Sequence, residues 1–328
     1  MAVYTQLAAE ALEALVACYD VGALVSAKGI AEGVSNSNWL VETTGGEVGG
    51  GAAGGARYIL TMYERRIDNA DLPFFLGLLD HLSACGCPVP RTIHDREGAA
   101  FRLVEGKAVA LIEFLPGISP DRPSAAQARA VGAALAQVHL AAQDFAMSRV
   151  NGLDPPASAR TLQGCGETAL AAIDPALPQA IALAAEVAQA WPGDLPRSVI
   201  HSDLFPDNVL MLRARVTGMI DFYFACTDAM AYDLAVTHAA WAFDKTGTRY
   251  EPAVGKALVA GYESVRPLEL EERAALPLLA RGAALRFVAS RAEDWIETPA
   301  GALVARKDPM AFLRRHDFYA ENGAAIFA

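Results

Sequence analysis

Hydrophobic and polar positions follow two different periods along this chain, and the change falls near residue 115. Residues 5–18 place Leu7, Leu12, Leu15 and Val16 at helical spacing. From Leu24 the pattern shortens to β-type runs at 24–25, 38–41 and 58–63. A glycine-dense tract, residues 44–55, joins the last two. It lacks the Gly-Lys-Ser/Thr ending whose lysine and hydroxyl hold phosphate, so it reads as a floppy hairpin connection. A helix follows over about 71–84, with Leu72, Phe75, Leu76, Leu79 and Leu82 on one face. Strands are then expected near 91–94, 100–103 and 108–114, and Pro116-Gly117 breaks the pattern.

Beyond that breaker the periodicity is helical. Ser124-Ala-Ala-Gln127 is a capping box, in which the Ser hydroxyl and the Gln amide satisfy orphan N–H groups at a helix start. Val131, Leu135 and Val138 supply the buried stripe of that helix. Residues 175–190, 229–243, 253–264 and 269–297 predict further helices, and 309–319 is a helical C-terminal region. Short apolar runs at 198–200, 209–212 and 216–220 lie between them. The expected fold is α+β: a small antiparallel β-rich lobe over 1–115, then a larger, mostly helical lobe over 116–328.

At 328 residues the chain has room for about two domains. Its 27 Lys and Arg against 38 Asp and Glu give a net charge of −11, which argues against a general nucleic-acid binder. No basic run exceeds Arg65-Arg66 or Arg314-Arg315. Hydrophobic residues make up 53%, much of it Ala, yet no stretch reaches the roughly 18 apolar residues of a membrane span. The first residues lack the basic flank and apolar core of a signal peptide, so a cytoplasmic protein without a membrane partner is expected. Five cysteines at irregular spacing make no disulfide framework. His81, Cys85, Cys87 and His94 match no standard zinc pattern, and the cysteines are expected to be buried small hydrophobes.

The chemistry-bearing stretch is His201-Ser202-Asp203-Leu204-Phe205-Pro206-Asp207-Asn208, with Met219-Ile220-Asp221-Phe222 a strand further on. A polar octet between two apolar runs is a loop held at both ends by the core. Phosphoryl transfer from ATP needs this set: one carboxylate to orient the attacking hydroxyl, and an amide and a second carboxylate to hold Mg²⁺ on the triphosphate. The spacing H-x-D-x-x-x-x-N, then a strand, then I-D-F follows kinase catalytic-loop logic.

The chain resembles the kinase-like phosphotransferase superfamily that includes aminoglycoside, choline and ethanolamine kinases and, within it, the bacterial homoserine kinases. Residues 29–38, 58–61, 201–210, 220–228, 232–236 and 284–291 carry the resemblance, which spans nearly the whole chain. It implies Asp203 as catalytic carboxylate and Asn208 and Asp221 as Mg²⁺ ligands. It places Ser35, Asn36 and Ser37 in the phosphate-covering loop between the first two strands. It sets Glu113 and Leu115 at a hinge whose backbone pairs with adenine, with ATP bound between the lobes. One position departs from the protein-kinase pattern: Thr61 occupies the slot of the strand-three lysine, a departure that homoserine kinases share, and Lys28 or Arg65 is a candidate replacement.

The implied reaction is phosphorylation of the γ-hydroxyl of L-homoserine, a step of threonine biosynthesis. Its α-carboxylate calls for a fixed cation, and arginine grips carboxylates bidentately. Arg286 and Arg291 are candidates. Five residues apart on a helix, they point about 140° from one another, and Arg286, between Leu285 and Phe287, is expected to face inward. Asp207 could hold the amino group, and Tyr223 with Phe224 could wall the acceptor site. His201 is expected to order the loop by a hydrogen bond, Asp233 to brace it, and His139 to be a core histidine. The alternatives are the same chemistry on choline, ethanolamine or an aminoglycoside, or a non-catalytic nucleotide-binding protein of this fold. The four tryptophans and residues 309–319 could serve a homodimer.

Overall fold

The computed structural model describes residues 7–30, 36–45, 55–64, 67–298 and 306–328. It divides into two compact units, residues 1–116 and 117–328.

The first unit opens with helix α1 (Ala9–Val16), shorter at both ends than its periodicity suggests. Strands β1 (Leu24–Ile30), β2 (Asn36–Thr43) and β3 (Ala56–Tyr63) precede helix α2 (Leu72–Ala84). Strands β4 (Thr92–Ile93), β5 (Arg102–Val104) and β6 (Lys107–Glu113) complete an antiparallel sheet in the order β1-β2-β3-β6-β4, with β5 on β6. Thr43 pairs with Ala56, so residues 44–55 do connect a hairpin, although 46–54 lie outside the described residues. Glu105 and Gly106 both have positive φ, the mirror-image turn that suits a two-residue hairpin between β5 and β6.

Alternation sorts the sheet's two faces. Trp39, Val41, Tyr58, Leu60, Met62, Val109 and Leu111 pack with Leu12, Leu15 and Val16 of α1 into one core. The opposite face carries two cross-strand rows: Lys28, Leu40, Ile59 and Ile112, then Ile30, Asn38, Thr61 and Ala110. Lys28 therefore shares a face with Thr61, and Arg65 lies outside the described residues. Thr61 donates to Asn38 Oδ1 at 2.8 Å, so this slot holds a neutral polar pair.

The second unit begins with helix α3 (Ala125–Ala141), whose Ser124–Gln127 capping box is formed. Helices α4 (Pro155–Cys165), α5 (Glu167–Ile173) and α6 (Gln179–Gln189) follow. The first two escape a periodicity reading because α4 buries mainly small residues, Pro155, Ser158 and Ala159, beside Leu162. Strand β7 (Arg197–Ile200), the hairpin β8 (Val209–Leu212)–β9 (Arg215–Met219) and strand β10 (Cys226–Ala229) lead into helix α7 (Met230–Trp241). Helices α8 (Pro252–Glu263), α9 (Leu270–Glu297) and α10 (Met310–Ile326) close the chain.

All twelve residues of α7 are buried, which makes it the axis of this unit. Helix α8 packs on α3 through glycines: a Cβ at Gly132 would stand 2.0 Å from the Leu258 carbonyl oxygen, and one at Gly261 2.0 Å from that of Arg129. Trp39 and Trp241 are core residues, Trp191 and Trp295 are half-buried, and Phe312, Leu313 and Tyr319 of α10 are buried within the unit. Among the described residues no helix is long and apolar enough to cross a membrane.

The cysteine expectation needs correction. Cys87 is buried, but Cys85 is exposed, and His94 is turned to Asp80 and the Gly98 carbonyl. The end of α2 meets solvent on the side that carries Cys85.

Candidate active site

Topology first brings the distant parts of the motif together. The octet leaves β7, and after the β8–β9 hairpin the chain returns along β10, which pairs antiparallel with β7. Cys226 stands opposite Ile200, so residues 201–208 and 221–225 leave and rejoin the same two-stranded ribbon. Ile220 N–H donates to the Asn208 carbonyl at 3.0 Å, which ties the two polar segments to one another.

The loop backbone is held by a buried network. Asp233, in the first turn of α7, accepts the N–H of His201 and of Ser202 on its two oxygens, both at 2.7 Å. Its Oδ2 also takes the Nε2 of His139 at 2.9 Å, and His139 Nδ1 meets the Tyr262 hydroxyl at 2.8 Å. Burial alone would raise the Asp233 carboxyl, but the His139 hydrogen bond, the two histidine rings and the His201 N–H outweigh it and hold the pKa below its ordinary value. Ser202 has φ 67°, a left-handed conformation that its N–H bond to Asp233 secures.

His201 is fully buried and structural, as its place in the loop implies. Nε2 donates to the Ile220 carbonyl at 2.9 Å while Nδ1 accepts the Asp203 N–H at 3.2 Å, an arrangement that defines the neutral tautomer. Burial lowers its pKa in the same sense. Trp241 Nε1 donates to the Leu204 carbonyl at 2.9 Å, and Phe205 packs edge-on to Phe287.

On this scaffold Asp203, Asn208 and Asp221 converge. Asn208 Nδ2 donates to the Asp203 carbonyl at 2.8 Å and lies 3.5 Å from its Oδ2, so the amide turns its NH₂ group to Asp203 and keeps Oδ1 for a cation. Asp221 is left-handed at φ 65°, ψ 55°, and opens the short turn Phe222–Phe224. Its carboxyl is pushed up to about 7 by burial and then by the charges of Asp203 and Asp207, although the residue as a whole keeps an exposed surface. Burial likewise raises Asp203, against the opposing charges of Arg286, His201 and Lys307.

Three carboxylates crowded in this way repel one another, and their oxygens with the Asn208 amide make a hard donor set. Such a set fits a divalent cation that shares its coordination with phosphate oxygens. Among the described residues no group of three or more His, Cys, Asp or Glu side chains makes a metal site by itself, and a phosphate-bound cation requires none.

Arg286 is almost wholly buried. Its guanidinium donates to the Ser202 carbonyl, lies 3.7 Å from Asp203 Oδ1 and packs 4.6 Å from the Phe287 ring centroid. It therefore reaches Asp203 itself. Arg291 comes to the same loop from further along α9, where Asp308, Asp203 and Asp207 all act on it. The 140° separation on the helix does not divide the two, because both side chains are long enough to converge. Lys307 acts electrostatically on Asp203 and Asp221, a contribution the motif spacing gave no sign of. Asp207 is exposed and Tyr223 half-buried beside Phe222, which packs on His201.

In the first unit Asn36 and Ser37 are the opening residues of β2, opposite Tyr63 and Met62, rather than loop residues. Pairing with β3 draws them into the sheet, and Ser37 Oγ donates to Glu64 at 2.7 Å. Ser35 lies outside the described residues. Glu113 ends β6, its N–H bonded to the Arg91 carbonyl at 3.0 Å, and Leu115 follows half-buried before Pro116.

A kinase-like fold carrying this loop defines a phosphotransferase. The model of the phosphotransferase enzyme family APH matches residues 26–268, and the chain belongs to that family. Its curated relatives include homoserine kinases: that of Gluconacetobacter diazotrophicus is 49% identical, covering 97% of each chain. The homoserine kinase of Xanthobacter autotrophicus is 48% identical, over 97% of this chain and 96% of its own. Among solved structures, an amicoumacin kinase in complex with AMP-PNP and Ca²⁺ has the same fold, with a TM-score of 0.70 at 13% identity, over 96% of this chain and 94% of that one.

Proposed function

We propose that this protein transfers the γ-phosphoryl group of ATP to the side-chain hydroxyl of L-homoserine, giving O-phospho-L-homoserine and ADP in threonine biosynthesis in the cytoplasm. The observation that carries the chemistry is the convergence of Asp203, Asn208 and Asp221 on a loop braced by Asp233. The near-half identity to homoserine kinases along almost the full chain carries the acceptor.

Asp203 accepts a hydrogen bond from the acceptor hydroxyl and aims its oxygen at the γ-phosphorus. As the new O–P bond forms, the bond to the β-phosphate oxygen breaks and the hydroxyl proton passes to the Asp203 carboxylate. Arg286 holds that carboxylate in place through Ser202 and Asp203. Asn208 Oδ1 and the Asp221 carboxylate would hold Mg²⁺, which neutralises charge on the phosphates when bound. Asp207 faces the acceptor amino group, and Tyr223 borders the acceptor. In the first unit the backbone at Glu113 and Leu115 takes the adenine edge, and Asn36 and Ser37 meet the phosphates. Lys28, on the Thr61 face of the sheet, supplies the cation that strand three lacks.

A choline acceptor would need an open aromatic cage. Of the aromatics that could contribute, Trp241 and Phe222 are buried, with the Trp241 N–H engaged by Leu204, which leaves Tyr223 and Trp295, two half-buried rings. The test is ADP release from Mg·ATP with L-homoserine, choline, ethanolamine, L-serine, L-threonine and an aminoglycoside as separate acceptors. L-Homoserine should exceed every other by at least ten-fold in kcat/KM. Preference for another acceptor would refute the substrate while keeping the catalytic loop.

A further inference from the structure

Two arginines beside the catalytic loop lack the counter-ions that buried charges ordinarily have. Arg291 donates Nη1 to the Asp308 backbone carbonyl at 3.0 Å, and its guanidinium lies 4.5 Å from the Phe312 ring centroid. Arg315, 3% exposed, lies 4.0 Å from the same centroid and donates Nη2 to the Asp244 carbonyl at 2.8 Å. Its Nε and Nη1 are buried without any partner. Among the described residues neither guanidinium has a carboxylate within ion-pair distance, and residues 299–305 contribute no acidic side chain to the sequence. Each raises the cost of the other's charge. Burial and the nearby Arg291 charge pull Arg315 down to about 10, and burial pulls Arg291 down to the same value.

Phe312 also places this pair. Its ring centroid is 6.0 Å from that of Phe205, which lies between Asp203 and Asp207 in the loop. Arg291 is half-buried and within electrostatic reach of both carboxylates, whereas the Nη atoms of Arg286 are already turned to Ser202 and Asp203 and only its buried Nε lacks a partner. One buried and one half-buried guanidinium without a carboxylate at ion-pair distance, the latter within electrostatic reach of Asp203 and Asp207, favour an anion brought in by the ligand.

We propose that Arg291, backed by Arg315, receives the α-carboxylate of the acceptor and is the residue that makes this site select an amino acid over the corresponding amino alcohol. This rests on the homoserine reading above. With the carboxylate on Arg291, the amino group falls to Asp207 and the side-chain hydroxyl to Asp203, so three groups on one loop and one helix fix a short substrate at three points. Arg315 adds charge behind Arg291 and, through the shared ring, holds its guanidinium in place.

The test compares L-homoserine with L-homoserinol, which differs only in having a hydroxymethyl group for the carboxylate. The ratio of their kcat/KM values is measured in the wild type, Arg291→Met and Arg291→Lys. The wild type should favour L-homoserine by at least 100-fold. Arg291→Met should reduce that ratio at least 30-fold, mainly through KM for L-homoserine, and Arg291→Lys by about ten-fold because the forked contact is lost. A purely structural arginine would depress both acceptors together and leave the ratio where it was, and that result in either variant overturns the proposal. Should Arg291→Met fail to fold, the Lys variant gives the same ratio test. A wild type that phosphorylates L-homoserine with an unchanged ratio in the variants refutes the carboxylate site alone; a wild type inert toward L-homoserine refutes the acceptor assignment and this site with it.

Discussion

Asp233 shows how much of this site is built from side chains that never meet substrate. One carboxylate caps two consecutive loop N–H groups and a histidine, and thereby fixes Ser202 in a left-handed conformation immediately before Asp203. Removing it leaves two buried N–H donors and the Nε2 of His139 without a partner, so Asp233→Ala should cost about 3 kcal/mol of unfolding free energy. It should also lower kcat at least 100-fold by misplacing Asp203. Urea unfolding and steady-state kinetics measure the two effects, and a variant with wild-type kcat would show that the loop holds its shape without this brace. That Asp203, Asn208 and Asp221 would come together was legible in the sequence, because their spacing places them at the two ends of one hairpin. Arg286 was legible as an inward-facing arginine. Its engagement with the Ser202 carbonyl was not, because that contact spans 84 residues of chain.

At the scale of elements, the sequence read well wherever large apolar residues mark one face. Helices α2, α8 and α9 lie within a residue or so of their expected bounds, and α3 starts at its expected Ser124 cap. The reading failed where small residues do the packing, as in α4, and where four short-chain residues, Cys226–Ala229, form a strand only because β7 lies beside them. Backbone pairing also decided that Asn36 and Ser37 extend β2, which no local pattern announces. Close helix contacts had no pattern signal either. Gly132 of α3 and Gly261 of α8 each face a carbonyl oxygen of the other helix at a distance no side chain can share. Gly132→Ala should therefore force the helices apart and destabilise the protein by about 3 kcal/mol despite its better helix propensity. A chemical-denaturation midpoint equal to or above wild type would contradict that packing.

The whole molecule carries a buried neutral histidine, His238, whose Nδ1 accepts from the Tyr319 hydroxyl at 2.7 Å between α7 and α10. Burial lowers its pKa to about 3, well below its unfolded value near 6.5. Its neutral form therefore supports the fold fully above pH 6.5, and that support is lost as pH falls from there toward 3, at up to about 1.4 kcal/mol per pH unit. His201 and Asp233 shift in the sense that adds to the acid sensitivity. Urea titrations at pH 7, 6 and 5 should show a shallower acid slope for His238→Gln, by about one proton; superimposable slopes would mean that His238 titrates normally. The account as a whole stands on a single catalytic carboxylate within the family's fold. Its most direct test follows the formation of O-phospho-L-homoserine from Mg·ATP and L-homoserine by wild type and Asp203→Asn, with ATP affinity measured on both. The account predicts robust product from the wild type, and from the variant a rate lower by about 10³-fold with ATP affinity within three-fold. An Asp203→Asn protein that makes product at the wild-type rate would contradict it.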